Sequence, residues 1–218
     1  LNGDQRLAKA KFKAEIFINQ LKDLNNAQRV DSIKQANDTD NLKDLSQIVS
    51  TASDLNNSMS ELKAKLKETV NPVKSSINYI NADYDLKRQF NKAVKDAREA
   101  LSKTKSANLN ERDIQGLSQA IDSTKDALNG EQRLAEAKEK SKQLIKQLDT
   151  LNNAQNNYLT NEINKSDNIK DITNIVDNAS SRNDAMIDVR DTVAQFNQST
   201  KDSINDQNAV DDLKLHFD

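Results

Sequence analysis

The sequence predicts an all-α protein made of tandem three-helix bundles that share long helices and stack into an elongated rod. The first observation is composition: 218 residues contain three glycines, one proline and only 4 % aromatic residues. A β-sheet protein would need frequent turn residues and strands rich in aromatic and β-branched side chains. The second observation is that apolar residues recur at steps of three and four, which is the spacing of one helix face. The third is that the chain repeats itself.

The repeat is visible when the chain is aligned with itself. Residues 1–8 (LNGDQRLA) return as residues 128–135 (LNGEQRLA), and residues 24–28 (LNNAQ) return unchanged as 151–155. The offset of 127 residues holds without a gap to residue 218, and roughly two-fifths of the overlapping positions are identical. Such similarity indicates a duplication. We therefore expect a fragment of a longer protein, with one complete repeat and most of a second.

The first predicted helix carries its apolar residues on one face. The predicted core positions are Leu7, Ala10, Ala14, Phe17, Leu21 and Leu24. The second copy repeats the spacing with Leu134, Ala137, Ser141, Leu144, Leu148 and Leu151. Asn26 is predicted to cap a short second helix that runs from Ala27 to about Gln35 and buries Val30 and Ile33.

The third predicted helix is the longest of the first bundle. Thr39 and its copy Ser166 lie three residues before an apolar series, so each is predicted to cap the helix that follows. The series consists of Leu45, Ile48, Ala52, Leu55, Met59, Leu62 and Leu66. Asn71-Pro72 should end this helix, because proline lacks a backbone donor and disfavours helical geometry in the preceding residue.

Two further helices are predicted to close a second bundle with the end of helix three. Residues 71–81 form a connector held by Ile77 and Tyr79, and Asn81 or Asp83 caps the next helix. The fourth helix carries Leu86, Phe90, Val94, Ala97 and Leu101. The fifth is capped by Asn110 and carries Ile114, Leu117, Ile121, Thr124 and Leu128.

Gly130 is the main interruption between the fifth helix and the second repeat. A single glycine costs a helix about 1 kcal/mol and does not forbid it. The pattern therefore predicts one helix from about residue 111 to 151, roughly 60 Å long. On this prediction Gly130→Ala is neutral or stabilising, and Gly130→Pro costs about 3 kcal/mol. Long shared helices also predict an elongated monomer.

Composition argues against several classes of protein. The formal net charge of −2 and the absence of a basic stripe argue against a nucleic-acid partner. No apolar run reaches the length of about 20 residues that crosses a bilayer, so this segment is not expected to insert into a membrane. Without cysteine there is no disulfide, iron–sulfur cluster or thiolate zinc site. A lack of cysteine suits surface proteins of Gram-positive bacteria and cytosolic proteins alike.

No group of residues predicts an enzyme. The single histidine, His216, corresponds to Gln89 in the first repeat. Carboxylates such as Asp96 and Glu99 alternate with cations such as Arg98, as on a solvated helix surface. Residues 38–40 (DTD) lack the glycine and closing glutamate of a calcium loop and are interpreted as capping. We therefore predict no catalytic, cofactor-binding or metal-binding residue, and no cofactor.

Tyr158 and Leu159 are the candidate ligand contacts that the sequence offers. They lie in the second helix of the second repeat, where the first repeat has Asp31 and Ser32. One interpretation is that an exposed Tyr158 or Leu159 contacts a ligand. The other is that this helix has rotated its packing face. The pattern leaves both open.

The repeat resembles a known family. Residues 79–83 (YINAD), 90–94 (FNKAV) and 125–130 (KDALNG) resemble the FIVAR module, and residues 134–148 with 151–155 resemble the GA module, as does the first copy from Leu7. Alternation of these modules is typical of giant staphylococcal extracellular-matrix-binding proteins. The resemblance implies GA-type bundles at 1–70 and 131–197, a FIVAR-type module at 71–130 and the start of another at 198–218.

What the resemblance implies about function is a cell-surface or cell-wall protein of a Gram-positive bacterium. Proteins of this family bind fibronectin and contribute to attachment and biofilm formation. GA modules elsewhere bind serum albumin, but residues 29–33 (RVDSI) and 156–160 (NNYLT) differ between the copies, so albumin binding is not carried over. No residue is assigned to fibronectin either. The two hypotheses are an adhesin with many weak multivalent contacts, and a structural spacer without direct ligand binding.

Overall fold

The computed structural model describes residues 2–202 and residue 208, and over these residues it confirms the predicted all-α fold. The helices are α1 (Gly3–Gln20), α2 (Asn26–Asp38), α3 (Leu42–Lys74), α4 (Ile77–Ile80), α5 (Tyr84–Ala100), α6 (Glu111–Asp126), α7 (Gly130–Lys146), α8 (Asn153–Lys165) and α9 (Ile169–Lys201). The chain divides into two compact units, Leu1–Glu131 and Gln132–Asp218. The bounds of α9 are those of α3 shifted by one repeat.

Helix caps in the GA-type bundles differ from the prediction by one or two residues. Asn25, not Asn26, caps α2 and forms a reciprocal capping box. Thr39 and Ser166 end α2 and α8 rather than starting the next helices. Asn41 and Asn168 cap α3 and α9, because their side-chain oxygens accept hydrogen bonds from backbone N–H groups in the first turn.

The first bundle consists of α1, α2 and the first half of α3, and its core is rotated by one residue relative to the prediction on α1. Ile18 is fully buried, whereas Phe17 is 40 % exposed. The second unit shows the same rotation, with Ile145 buried and Leu144 exposed. After Ala14, a step of three leads to Phe17 and a step of four to Ile18, and packing selects the latter. Periodicity alone does not distinguish the two.

The short helix α2 also packs on a face other than the predicted one. Gln28, Ser32 and Ala36 point into the protein, whereas Val30 is 66 % exposed. Ile33 is partly buried against the core. The predicted burial of Val30 is therefore wrong, and the physical reason is that the buried face of α2 is polar at its start.

Helix α3 is shared by two bundles, which confirms the prediction that the end of helix three closes the second bundle. Its later residues Met59, Leu62 and Leu66 are buried with α5 and α6 residues in the same core. Pro72 lies inside α3, which continues to Lys74. The predicted end at residues 71–72 is wrong by one turn, because a proline in the last turn removes a single hydrogen bond from a helix that is already ending.

The second bundle is closed by α5 and α6. Their buried residues include Phe90, Val94, Ala97, Ile114 and Ile121. The predicted connector contains the single turn α4, capped by Ser76. The ring of Tyr79 packs edge-on against Phe90, with centroids 5.9 Å apart, and its hydroxyl is hydrogen-bonded to Asn91. Asn110 caps α6, as predicted.

The predicted continuous helix through Gly130 is wrong. Helix α6 ends at Asp126, and α7 begins at Gly130. A Cβ added to Gly130 would lie 2.1 Å from the carbonyl oxygen of Asn78 and 2.7 Å from the backbone nitrogen of Ala82. These backbone atoms cannot rotate away as a side chain can. Glycine is therefore required at position 130, because the backbone of residues 78–82 lies too close for a Cβ atom. The prediction that Gly130→Ala is harmless fails for the same reason.

Candidate interaction surfaces

The charged residues that the sequence analysis considered as possible catalytic groups form ion pairs on exposed helix surfaces. Asp96 is paired with Lys92 at 2.6 Å and Glu99 with Lys95 at 3.5 Å, all along the surface of α5. Between residues 2 and 202 no cluster of His, Cys, Asp or Glu has the arrangement of a metal site. The described helices include none long and apolar enough to cross a membrane. His216 lies outside the described residues.

A groove between α2 and α3 of the first unit is filled by a loop from the neighbouring bundle. We call it the first groove, and its walls are Asp31, Ser32, Gln35, Ile48, Thr51, Ala52 and Leu55. The loop that joins α5 to α6, residues 101–110, lies across it with Leu109 against the core. A cavity of only about 150 Å³ remains. The two GA-type helices and this loop therefore form one packed surface.

Hydrogen bonds hold the loop on the capping box of α2. The side chains of Asn25 and Gln28 each accept a hydrogen bond from the backbone N–H of the other, at 2.9 and 3.0 Å. Their amide NH₂ groups remain available as donors. Asn25 donates to the carbonyl of Ala107 at 3.1 Å, and Gln28 donates to that of Leu109 at 2.9 Å. Both side chains are fully buried, so these bonds satisfy groups that water cannot reach.

Lys103 adds a further link between the loop and the turn before α2. Its ammonium donates to the carbonyls of Lys22 and Leu24, and its own carbonyl accepts from the backbone N–H of Asn26 at 2.9 Å. Burial lowers the pKa of the Lys103 ammonium, while the carboxylate of Asp23 acts in the opposite direction. The loop is therefore fixed by backbone and side-chain contacts over several residues.

The equivalent groove in the second unit is open. This second groove lies between α8 and α9, and its cavity measures about 660 Å³. Its walls include Tyr158, Leu159, Glu162, Ile175, Asn178, Ala179 and Arg182, which are the repeat equivalents of the seven walls of the first groove. Asn152 and Gln155 form the same capping box, with both hydrogen bonds at 2.9 Å. Here both side chains are exposed.

Tyr158 and Leu159, the sequence candidates, both line the second groove. Tyr158 is 63 % exposed and Leu159 is half-buried. The residue that α8 buries fully is Ile163, the equivalent of Ala36 in the buried face of α2. The helix therefore keeps the packing face of its first copy, and rotation does not explain Tyr158. An exposed aromatic side chain on a groove has the character of a contact residue.

The later half of α9 exposes an apolar stripe. Met186, Val189 and Val193 are all more than half exposed. Their equivalents in α3 are Met59, Leu62 and Leu66, which are buried in the second bundle. Within the described residues, the second groove and this stripe adjoin each other, because Met186 belongs to both. A contiguous apolar surface of this kind is typical of an interaction site.

A second apolar surface, which the periodicity did not reveal, lies on α1. Phe12 is 65 % exposed and Ile16 is 44 % exposed, one turn apart on the same face. The second copy has Glu139 and Gln143 at these positions. A comparison of the two repeats could have identified this pair, since only the first copy is apolar there. It is a copy-specific candidate contact.

Two known families match most of this architecture. The GA module matches residues 4–58 and 131–185, and the FIVAR domain matches residues 58–129. Over its full length the chain is 36 % identical to the extracellular matrix-binding protein Ebh of Staphylococcus aureus strain NCTC 8325, and equally to EbhA of strain Newman. The chain covers 2 % and 6 % of the length of those two relatives.

Solved structures show the same helical arrangement. A crystal structure of the 756–1003 domain of EbhA from Staphylococcus aureus aligns with a TM-score of 0.74 and 26 % identity, covering 82 % of this chain and 74 % of that one. A structure from a study of Embp-mediated adherence of Staphylococcus epidermidis to fibronectin aligns with a TM-score of 0.52 and 26 % identity, covering 57 % and 98 %.

Fold, duplication and these matches define a tandem-repeat helical-bundle protein. More specifically, the chain belongs to the GA-module and FIVAR-domain repeat family that includes the staphylococcal extracellular matrix-binding proteins.

Proposed function

We propose that the chain is a repeat segment of a bacterial cell-surface adhesin that binds host extracellular matrix, chiefly fibronectin. The observation that carries the proposal is the similarity along the entire chain, at 36 % identity, to proteins named for matrix binding. The name of a structural neighbour with the same fold refers to adherence to fibronectin. The same similarity supports a place on the surface or cell wall of a Gram-positive bacterium, and a binding rather than an enzymatic role.

Each repeat is expected to bind weakly. Apart from the second groove and the α9 stripe, the exposed surface has isolated apolar contacts, such as Phe12 and Ile16, among solvated ion pairs like that of Lys92 and Asp96. Exposed ion pairs contribute little energy, and tight interfaces usually centre on clustered aromatic and arginine side chains. Repetition raises the effective concentration of each next contact, so avidity can exceed single-site affinity by about 10²–10⁴. The adhesin is therefore expected to bind fibronectin through many weak contacts, one or a few from each repeat.

The test is a series of chains with one, two, four and eight copies of the 127-residue repeat. Their binding to fibronectin is measured with the fibronectin both in solution and clustered on a surface. Apparent affinity should rise steeply with copy number on the clustered surface and little in solution. A flat response at detectable affinity would exclude the avidity mechanism.

A matched variant tests the apolar pair on α1. Phe12→Glu with Ile16→Gln gives the first copy the side chains that the second copy already has at these exposed positions. The fold should tolerate them, and fibronectin binding should fall if this surface is a contact. Serum albumin serves as the protein control, and no binding to it is expected.

The second candidate function is a structural spacer that projects other regions from the cell. It is favoured by the first groove, where a face of the GA-type bundle is used for packing against the neighbouring loop. If chains of every length fail to bind fibronectin while remaining folded, the spacer function replaces the adhesin function.

A further inference from the structure

One cavity of the first unit is lined by four cationic side chains that come from three different elements. Lys74 lies at the end of α3, Lys95 and Arg98 lie on α5, and Lys105 lies in the α5–α6 loop. We call this cavity, of about 590 Å³, the basic pocket. Its four cations are exposed, and its lining includes one acidic residue, Glu99. The pocket is therefore positive in a chain whose formal net charge is −2.

The fold leaves most of this positive charge without a partner. Lys95 is paired with Glu99 at 3.5 Å. In the described part of the chain, the side chains of Lys74, Arg98 and Lys105 form neither an ion pair nor a hydrogen bond. Unpaired charges of one sign that converge on a cavity raise the local concentration of anions.

Helix stabilisation explains only part of this arrangement. Lys74 and Arg98 lie in the last turns of α3 and α5, where a cation interacts favourably with the helix dipole. Lys95 lies before the last turn of α5, and Lys105 lies outside any helix. Neither stabilises a helix end in that way, because the dipole effect falls off within one turn. Their position beside the first two cations points to a ligand.

We propose that the basic pocket binds a sulfated glycosaminoglycan, a linear polysaccharide whose sugar rings carry sulfate and carboxylate groups. The guanidinium group of Arg98 can donate two parallel hydrogen bonds to paired oxygens of either anion. Lys74 and Lys105 act as compact charges on neighbouring anionic groups. The proposal adds a glycan ligand and does not rest on fibronectin binding, so the two are tested separately.

Uncharged residues of the basic pocket suit the sugar rings between the anionic groups. The Ser102 hydroxyl accepts a hydrogen bond from the backbone N–H of Lys105 at 3.3 Å. Its own hydrogen is donated to no acceptor among the described residues, so it is available to a sugar oxygen. Val94 supplies a buried apolar floor. A sugar ring, which has polar edges and apolar faces, matches this combination.

The backbone of the basic pocket is fixed before any ligand binds. The Ser106 hydroxyl donates to the carbonyl of Ser102 at 2.6 Å, which ties the loop to the end of α5. Near the end of α3, the Ser76 hydroxyl donates to the carbonyl of Val73 at 2.7 Å. A ligand therefore has to order only side chains, which lowers the entropic cost of binding.

The lining favours a sulfated polysaccharide over other linear polyanions. Among the described residues, those that line the basic pocket include no aromatic side chain on which a nucleic-acid base could stack. A cavity of about 590 Å³ admits sugar rings, whereas an acyclic polyol phosphate would leave much of it unfilled. Lys95 and Arg98 lie one turn apart on α5, so a linear chain can follow the helix from one cation to the next.

The test uses the whole chain and a fluorescently labelled heparin octasaccharide. Binding is followed by fluorescence anisotropy at ionic strengths of about 0.05 M and about 0.2 M. It should be measurable at the lower salt concentration and weaken at least about tenfold at the higher one, because the cations of the pocket release counterions from the glycan. Duplex DNA and polyglycerol phosphate of the same total charge are the comparison probes, and both should bind more weakly.

Two double variants with the same change in charge separate the basic pocket from the rest of the surface. Arg98→Gln with Lys105→Gln removes two unpaired cations of the pocket and should weaken octasaccharide binding at least about tenfold. Arg6→Gln with Lys9→Gln removes two exposed cations of α1 that do not line the pocket. This control should change binding less than about twofold. Circular dichroism verifies that every variant is folded.

An exchange variant, Arg98→Lys with Lys105→Arg, keeps both charges and should bind within about threefold of the unmodified chain. The proposal is overturned if the unmodified chain does not bind the octasaccharide or if the two charge-removing variants weaken binding equally. Tighter binding of the DNA or of the polyglycerol phosphate would overturn the assignment of the ligand. A loss in the exchange variant as large as that in the glutamine variant would contradict recognition by charge.

Discussion

The starts of α2 and α8 have the same five-residue sequence before and into the helix but opposite environments. Asn25 and Gln28 are fully buried under the α5–α6 loop, whereas Asn152 and Gln155 are exposed at the edge of an open groove. Both pairs form the same capping box with hydrogen bonds of 2.9–3.0 Å. The local sequence therefore determines the helix cap, and a segment about 80 residues away determines the burial.

One side chain therefore serves two functions at once in the first unit. The oxygen of Gln28 caps its helix, and its nitrogen binds the neighbouring loop. A capping box with an asparagine and a glutamine keeps two donors, which serine and glutamate would not.

Gly130→Ala should destabilise the first unit by about 3 kcal/mol, because the new methyl group would meet backbone atoms of α4 and of the following turn. The matched control is Gly3→Ala at the equivalent position, where no atom lies within 4 Å. Gly3→Ala should be neutral or slightly stabilising. Denaturant unfolding followed by circular dichroism measures both. Equal effects would show that the close approach at Gly130 is absent in solution.

Gln28→Glu should cost about 2–3 kcal/mol, since it buries a carboxylate against the carbonyl of Leu109 where a donor stood. Gln155→Glu should change stability by less than about 0.5 kcal/mol, because that side chain is exposed. Both keep the capping box. Hydrogen exchange of α2 and α8 gives the two local stabilities, and a similar cost at both positions would contradict the account of the groove.

Arg29 and its equivalent Asn156 differ in how many backbone carbonyl groups they hydrogen-bond at and after the end of the preceding helix. Arg29 donates to the carbonyls of Ile18, Asn19 and Leu21 at 2.7–2.9 Å. Among the described residues, Asn156 donates to the carbonyl of Leu151, and its buried side-chain oxygen has no hydrogen-bond partner there. Asn156→Arg should therefore stabilise the second unit by about 1 kcal/mol.

The reverse change, Arg29→Asn, should destabilise the first unit by about 1–2 kcal/mol. Thermal unfolding of both variants provides the measurement. A loss of stability in Asn156→Arg would show that the second unit lacks space for the guanidinium group.

Val30→Asn should have the smallest effect, within about 0.5 kcal/mol, because Val30 is largely exposed and Asn157 already occupies the equivalent position. Its contrast is Ser32, which is buried beside the loop. Urea unfolding of Val30→Asn tests whether α2 has the orientation described. A loss of more than about 1 kcal/mol in the free energy of unfolding would show that Val30 is buried in the core.

Most of the fold could be predicted from the sequence, because helix length and apolar period are local properties. The duplication also predicted that the two bundles would match, as α3 and α9 do. Errors arose where tertiary contact chooses between local alternatives. Phe17 and Ile18 fit the same apolar period, so the period does not show which of them is buried. The sequence also does not distinguish a glycine inside a helix from one, such as Gly130, that is required by a close backbone contact. The domain boundaries and the elongated monomer stay predictions.

Less of the interaction surface could be predicted. Tyr158 and Leu159 are predictable as candidate contacts because they differ from the first copy, and both lie on the second groove. In the sequence, Asn25 and Gln28 stand out only as part of a repeated motif, since the acceptors of their amides are more than 80 residues away. Contacts at such separations leave no periodic pattern in a single sequence.

The identical capping boxes of α2 and α8 differ in that the α5–α6 loop covers the first, whereas the second is exposed. The direct test is nuclear magnetic resonance of the side-chain NH₂ groups of Gln28 and Gln155 in the unmodified chain. The account predicts slow hydrogen exchange and distinct chemical shifts for Gln28, which is bonded to Leu109, and exchange near the rate of free glutamine for Gln155. Equal and fast exchange at both residues would contradict it.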